Sequence, residues 1–137
     1  LRPAGMILSY PVISSGEFAH QDSFAALLGD SYEHLKSNSL FGKLSLETQV
    51  TSDTPPAFLW HTFTDNLVPV ENSLLFAMAL RRVDVPTELH IFPAGGHGLA
   101  LANELTLDQD GYGIQKECQI WIDLAKVWLH DLVGVGL

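Results

Sequence analysis

The stretch that decides the fold lies near the middle of the chain and reads PPAFLWHT at residues 55–62. Two prolines precede six almost continuously apolar residues, a pattern typical of a parallel strand covered on both faces. A similar apolar run lies earlier, at Met6–Tyr10. A third run, Thr87–Phe92, alternates polar with apolar residues between Pro86 and Pro93, which predicts a strand nearer the sheet edge. Together the three runs predict a parallel sheet.

Helical patterns alternate with these strands. Pro69 and Glu71 predict a helix start, since proline tolerates the first turn and an acid there complements the helix dipole. The apolar residues expected on one face of this helix are Leu74, Leu75, Met78 and Ala79. A last helical pattern spans Ile114–Leu132, and its apolar stripe comprises Trp121, Ile122, Ala125, Trp128, Leu129 and Leu132. This order predicts an α/β fold with right-handed crossovers and a mostly parallel sheet flanked by helices.

Residues 11–54 interrupt the alternation. They contain helix-like pieces at Gln21–Leu28 and Ser45–Val50, separated by a stretch with Ser, Asn and Gly at residues 37–42. We expect a cap-like insertion over one end of the sheet, a place where such segments often shape a pocket. No repeat or linker is visible, so residues 1–137 are predicted to form a single α/β domain.

Composition and charge exclude several classes of protein. The chain is 47% hydrophobic and 17% charged, which indicates a globular domain with a sizeable core. A net charge of −9, spread along the sequence, argues against nucleic acid and anionic membranes as partners. No apolar run reaches the roughly 18 residues of a membrane span, and no targeting signal is visible, so the compartment stays open. The single Cys118 forms no internal disulfide and is expected in the core.

Two candidate catalytic residues follow the second and third predicted strands. Asp65 comes shortly after residues 57–62, and His97 lies in the glycine-rich run PAGGHG at residues 93–98. Functional groups of open α/β sheets collect at the carboxyl ends of the strands. There an imidazole can accept a proton from a hydroxyl nucleophile, while a carboxylate orients the imidazole and stabilises its charged form. Asp65 and His97 are therefore predicted to be two thirds of a hydrolytic triad.

Other interpretations of these side chains are weaker. Asp65 alone is also typical of a turn, and His97 alone of a surface loop, but their joint placement favours catalysis.

Neither Ser14 nor Ser15 has glycines two positions away on both sides, as a nucleophile elbow requires. His61 is expected to be a packed or hydrogen-bonded partner. The other histidines lack the spacing of metal ligands, so no metal or cofactor is predicted, and the tryptophans are expected in the core rather than in a sugar-binding platform.

Three segments resemble the C-terminal half of α/β-hydrolase serine esterases. They are PPAFLWHT with Asp65, VPVENS at residues 68–73, and ELHIFP with GGHGL at residues 88–99. The opening MILSYPVI at residues 6–13 is similar to the strand that follows the nucleophile in this group. The resemblance covers nearly the whole chain and is closest to the acetyl-esterase and acetylxylan-esterase-like branch, which includes xylanase-associated esterases and lipases.

The resemblance implies a triad in the order Ser, Asp, His, with Asp65 and His97 at the acid and base positions. The serine and the oxyanion-hole glycines are then expected ahead of Leu1, so the nucleophile-bearing N-terminal half would be absent. The implied substrate is a carboxylic ester with a short acyl group, such as acetyl on a carbohydrate, cleaved through an acyl-enzyme.

The chain alone is expected to be inactive, and to bind its N-terminal remainder or self-associate through an exposed sheet edge. Two alternatives stay open. One is a prolyl-peptidase-like hydrolase, which uses similar acid and base loops, and the other is a catalytically inert truncated fragment.

Overall fold

Three parallel strands form the centre of the computed structural model, which describes residues 2–134. The strands are β1 (Met6–Ser9), β2 (Ala57–Thr62) and β3 (Thr87–Phe92), in the spatial order β1-β2-β3. Ala57 lies beside Met6 on one side and beside Thr87 on the other. The predicted α/β class with a parallel sheet is confirmed, and β3 lies at an edge of the described sheet. Leu1 and residues 135–137, the ends of the predicted domain, lie outside the described residues.

Five α-helices surround these strands within the described residues. They are α1 (Gln21–Leu28), α2 (Tyr32–Leu35), α3 (Ser39–Gly42), α4 (Glu71–Arg82) and α5 (Trp121–Val133). Short 3-10 turns occupy Gly29–Ser31, Leu46–Thr48, Glu104–Thr106 and Lys116–Cys118. None of the helices described is long and apolar enough to cross a membrane.

The segment 11–54 agrees only partly with its predicted helices. Helix α1 has the predicted bounds, but the piece predicted at Ser45–Val50 contains only the 3-10 turn Leu46–Thr48. The stretch expected to separate them contains α3 instead. Its formation has a local cause, because the Asn38 side chain accepts a hydrogen bond from the Leu40 backbone N–H at 3.0 Å and so caps the helix.

Strand β2 is the centre of the core, because all six of its residues are buried. Successive side chains of a strand point to opposite faces. Phe58 and Trp60 pack with α5, whereas Ala57 and Leu59 pack on the other face with residues of α4, namely Phe76 and Leu80. The two helices therefore cover opposite faces of the sheet, as expected for a parallel sheet flanked by helices.

The tryptophans belong to this core, as predicted. The rings of Trp60 and Trp121 stack with centroids 5.1 Å apart. Each buried indole N–H is satisfied, since Trp60 donates to Ser9 Oγ at 2.7 Å and Trp121 donates to the Ala100 carbonyl at 2.9 Å. Cys118 is fully buried in the same cluster, and burial, with a smaller contribution from the nearby Glu117 carboxylate, raises the pKa of its thiol to about 11.

One sequence-based expectation about apolar faces is wrong and another is only partly correct. Strand β1 is not covered on both faces within the described residues, because its side chains are only partly buried and Ile7 is 44% exposed. On α4 the expected apolar face is only partly correct, because Ala79 is buried but Leu74 and Met78 are 39% and 54% exposed. Polar Asn72 and Ser73 are buried instead. Their side chains satisfy buried hydrogen-bonding groups, and the same inward face buries Phe76 and Leu80.

Candidate active site

Two loops meet at the carboxyl edge of the sheet, one after β2 and one after β3. Thr62 Oγ1 donates to the Gly95 carbonyl at 3.0 Å. Thr64 Oγ1 donates to the same carbonyl at 2.9 Å and accepts from the Gly95 N–H at 3.0 Å. Gly95 has φ +139°, and a Cβ there would lie 2.7 Å from the Thr62 methyl group, so only glycine fits. These contacts fasten the loop that carries Asp65 to the loop that carries His97.

The two residues singled out in the sequence are in direct contact. His97 Nδ1 lies 2.8 Å from Asp65 Oδ2. Because an ionised carboxylate only accepts hydrogen bonds, His97 Nδ1 carries the proton and donates it. The Asp65 side chain is fully buried, whereas the His97 side chain is 26% exposed. A neutral His97 ring therefore has its unprotonated lone pair on Nε2, the nitrogen that faces away from the carboxylate.

The environment of Asp65 keeps its carboxyl group ionised. Oδ1 accepts hydrogen bonds from the backbone N–H groups of Leu67 and Val68, each at 2.9 Å. Burial alone raises the pKa of Asp65, but the hydrogen bonds from the Val68 backbone, His97 and the Leu67 backbone together outweigh burial and hold the pKa below its ordinary value. The turn after β2 thus presents a buried negative charge to His97.

A second histidine, His61 of β2, also contacts this carboxylate. Its Nε2 lies 2.9 Å from the Val68 carbonyl oxygen and 3.2 Å from Asp65 Oδ2, and its Nδ1 lies 2.8 Å from Ser73 Oγ. Burial lowers the pKa of His61 and outweighs the opposite effects of the Val68 carbonyl and Asp65, so the ring is neutral. His61 is a hydrogen-bonded partner, as the sequence predicts, although its contact with Asp65 was not foreseen.

Two tyrosines that the sequence analysis did not single out contact the His97 loop. The Tyr10 ring packs edge-on against the His97 ring, with centroids 4.8 Å apart, and its hydroxyl accepts from the Ala100 N–H at 3.2 Å. Tyr112 donates its hydroxyl hydrogen to the His97 carbonyl at 2.6 Å. Tyr10 directly follows β1, so its position at the carboxyl edge of the sheet could have marked it in the sequence as a residue near the site. Nothing in the local pattern marks Tyr112.

Asn72 is the buried polar residue that joins segment 11–54 to α4. Its Oδ1 accepts from the backbone N–H groups of Ile13 and Ser14 at 2.9 and 2.8 Å. Its Nδ2 donates to the carbonyls of Phe18 and Pro69 at 2.9 and 3.0 Å. Asn72 lies in the VPVENS segment quoted above. A hydrophobic pattern predicts that a polar residue in the first turn of a helix is exposed, so it does not reveal that Asn72 is buried.

Replacing Asn72 with alanine is expected to lower the free energy of unfolding by about 3 kcal/mol, because two buried backbone N–H groups lose their acceptor. Denaturant titration measures this loss. The control is Asn66→Ala, since Asn66 is exposed in the neighbouring loop and its replacement should change stability little. Equal stability of the two variants would contradict the role given to Asn72.

The serines of segment 11–54 have other partners. Ser15 Oγ donates to the Phe41 carbonyl at 2.8 Å, and Ser14 Oγ accepts from the Gly16 N–H at 3.0 Å. Neither hydroxyl forms a hydrogen bond with His97 in residues 2–134. In the same part of the chain, no group of three or more His, Cys, Asp or Glu side chains is arranged to hold a metal ion.

Two solved structures are similar to this chain over almost its whole length. An acetyl ester-xyloside bifunctional hydrolase from Caldicellulosiruptor lactoaceticus is 47% identical, with a TM-score of 0.79, and the match covers 98% of this chain and 44% of that one. The carboxylesterase Cest-2923 from Lactobacillus plantarum is 32% identical, with a TM-score of 0.78, over 99% of this chain and 47% of that one. The chain thus spans less than half the length of either protein.

A curated relative and a family profile agree with these matches. Endo-1,4-beta-xylanase B from Butyrivibrio fibrisolvens is 48% identical over 103 residues, which are 75% of this chain and 16% of the xylanase. The profile of the prolyl oligopeptidase family matches residues 7–110. The parallel sheet and its helices correspond to the C-terminal part of an α/β-hydrolase fold. With most of its length matched by that profile, the chain belongs to the prolyl oligopeptidase family of α/β-hydrolases.

Proposed function

We propose that this chain supplies the acid and base of a serine hydrolase that cleaves carboxylic esters. His97 is the general base, and Asp65 is the carboxylate that orients and stabilises it. The observation that carries the proposal is the 2.8 Å contact between His97 Nδ1 and Asp65 Oδ2. This contact leaves His97 Nε2 available at the carboxyl edge of the sheet, where α/β folds present their reactive groups.

The reaction follows from the protonation state of the His97 ring. A serine hydroxyl oxygen attacks the ester carbonyl carbon while its proton passes to His97 Nε2. Nε2 then returns the proton to the departing alcohol, which leaves an acyl-serine. A water molecule attacks that acyl group with the same assistance from His97, so the carboxylic acid departs and the serine is regenerated. In both acylation and deacylation, the Asp65 carboxylate stabilises the imidazolium that forms on His97.

The nucleophile in this proposal comes from polypeptide outside the chain. Within residues 2–134 no serine is hydrogen-bonded to His97, and the chain spans under half of the hydrolases it matches. The serine and the oxyanion-hole donors are therefore assigned to a segment that precedes Leu1. The partly exposed strand β1 is the proposed site at which that segment, or a second copy of this chain, pairs with the sheet.

The proposed substrate is an ester with a short acyl group, such as an acetyl group on a carbohydrate. The similar proteins support it through their names, since one is an acetyl ester-xyloside bifunctional hydrolase and another is a carboxylesterase. A second candidate is the hydrolysis of prolyl peptides, which the name of the matched family favours. Both reactions would use Asp65 and His97 in the same way, and they differ in the acyl and leaving groups.

Turnover by the intact protein separates these candidates. We expect hydrolysis of p-nitrophenyl acetate and release of acetate from acetylated xylo-oligosaccharides, with little cleavage of a prolyl p-nitroanilide. A fluorophosphonate should label one serine stoichiometrically, and peptide mapping should find the label outside this chain. Preferential anilide cleavage would favour the peptidase, whereas no turnover and no label would indicate an inert protein. A label on Ser14 or Ser15 would refute the assignment of the nucleophile.

A further inference from the structure

Two imidazole rings share one carboxylate oxygen in this fold. Asp65 Oδ2 lies 2.8 Å from His97 Nδ1 and 3.2 Å from His61 Nε2. The other oxygen, Oδ1, accepts from two backbone N–H groups. An ionised carboxylate has about four lone-pair sites, and here four N–H groups approach them. Hydrogen bonds to both oxygens therefore fix the orientation of the Asp65 carboxylate.

We propose that His61 is a positioning residue that holds Asp65 Oδ2 toward His97, and that Ser73 supports the His61 tautomer needed for this contact by donating to Nδ1. The catalytic consequence rests on the proposed function, whereas the arrangement of the two rings does not. His61 and Ser73 are both completely buried, one on β2 and the other in the first turn of α4. Helix α4 is thus linked to the Asp65 carboxylate by two hydrogen bonds, one from Ser73 to His61 and one from His61 to Asp65. The same carboxylate contacts the His97 base.

The partners of His61 determine where its proton lies. Nε2 faces two acceptors, the Val68 carbonyl oxygen and Asp65 Oδ2, so Nε2 must carry the hydrogen. Nδ1 is then an acceptor, and the Ser73 hydroxyl at 2.8 Å donates to it. His97 has the opposite tautomer, with its hydrogen on Nδ1. The two rings approach the same oxygen with different nitrogens, and each donates one N–H.

The neutrality of His61 is what makes it suitable for this role. A charged imidazolium at His61 would compete with the His97 imidazolium for the negative charge of Asp65. Burial keeps His61 uncharged, so it contributes a hydrogen bond but no charge. The titratable groups facing it are Asp65 and His97, and Tyr10 and Tyr112 lie beside the His97 loop. The full carboxylate charge remains available to stabilise His97 during proton transfer.

The test compares three variants of the intact protein. His61→Leu removes both ring nitrogens, His61→Gln can place an amide N–H where the Nε2–H lies, and Ser73→Ala removes the donor to Nδ1. His90→Leu is the control, since His90 is a partly buried histidine on β3 that pairs with Glu88 rather than with Asp65. We expect kcat for ester hydrolysis to fall at least tenfold in His61→Leu, with KM within twofold, while His61→Gln regains most of the rate and the control is unchanged.

A second readout requires no turnover. In protein labelled with 15N-histidine, the ring nitrogen shifts should show His61 protonated on Nε2 only and His97 protonated on Nδ1. In His61→Leu, the His97 Nδ1–H should exchange with water at least ten times faster than in the wild type. Ser73→Ala should leave His61 protonated on Nε2, since the Val68 carbonyl and Asp65 still accept there, and should shift the resonance of Nδ1, which loses its donor.

The outcomes separate this inference from the proposed function. A His61 ring protonated on Nδ1 in the wild type would overturn the positioning role, and so would His61→Leu with unchanged kcat and unchanged exchange of the His97 proton. A lower free energy of unfolding with no change in either readout would show a merely structural residue and would also overturn it. If the wild type hydrolyses no ester, the proposed function fails, but the ring shifts still decide how His61 is arranged.

Discussion

Asp65→Asn is expected to lower kcat for ester hydrolysis by about 10⁴-fold, the loss seen when the orienting carboxylate of a serine triad becomes an amide. The reason is specific to this turn. The backbone N–H groups of Leu67 and Val68 need an acceptor, so the amide oxygen must take the Oδ1 position. The amide NH₂ then points at His97 Nδ1, which must become the acceptor. The proton of His97 moves to Nε2, and the ring can no longer act as a base.

The measurement is steady-state hydrolysis of p-nitrophenyl acetate by the intact protein. KM should change little, since the lost interaction acts in the transition state rather than on bound substrate. Asp53→Asn is the matched control, because Asp53 is exposed and precedes β2, whereas Asp65 follows it. A fall in kcat of less than tenfold for Asp65→Asn would contradict the assigned role.

His97→Ala should cause a loss of kcat at least as large, about 10⁴-fold or more, because it removes the group that carries the proton. The double variant Asp65→Asn with His97→Ala should be no slower than His97→Ala alone. Residues that act as one unit are non-additive, since the carboxylate has no effect once the imidazole is gone. His130→Ala serves as the control, since His130 is exposed on α5.

Kinetics of the single and double variants check this expectation together. If the two losses multiply, Asp65 and His97 act on separate steps, and the proposed unit is wrong. If His97→Ala retains more than a tenth of the wild-type rate, another base performs the reaction. Fluorophosphonate labelling of the same variants reports nucleophile activation directly, and it should slow in proportion to kcat.

The strands and the main helices were predictable because local rules decide them, although the helix predicted from Ile114 begins only at Trp121. The run at residues 57–62 is apolar, begins after two prolines and forms β2 with the predicted bounds. The alternating run at residues 87–92 forms β3 at an edge of the described sheet. Asp65 and His97 could be paired from sequence because parallel strands end at the same edge, so residues that follow neighbouring strands lie close together.

The orientation of α4 was not predictable in this way. A hydrophobic pattern favours burial of Leu74 and Met78, yet both are exposed. Asn72 and Ser73 are buried because each has polar partners from distant segments, Ile13 and Ser14 for one and His61 for the other. The inward face also buries Phe76 and Leu80, so burial of hydrocarbon and the satisfied hydrogen bonds of buried polar groups together decide which face of the helix turns inward.

By itself, the amino-acid sequence determined the α/β class, the order of the strands along the chain and the two loops that carry Asp65 and His97. These depend on spacing, prolines and glycines, which act over a few residues. Only the tertiary structure decided that one oxygen of Asp65 is shared by His61 and His97, and that Ser73 lies behind them. The physical reason is that a hydrogen bond requires atoms within about 3 Å in a suitable direction. The pairing of β2 with β3 sets the distance between Asp65 and His97, and the packing of α4 on β2 sets the distance between Ser73 and His61.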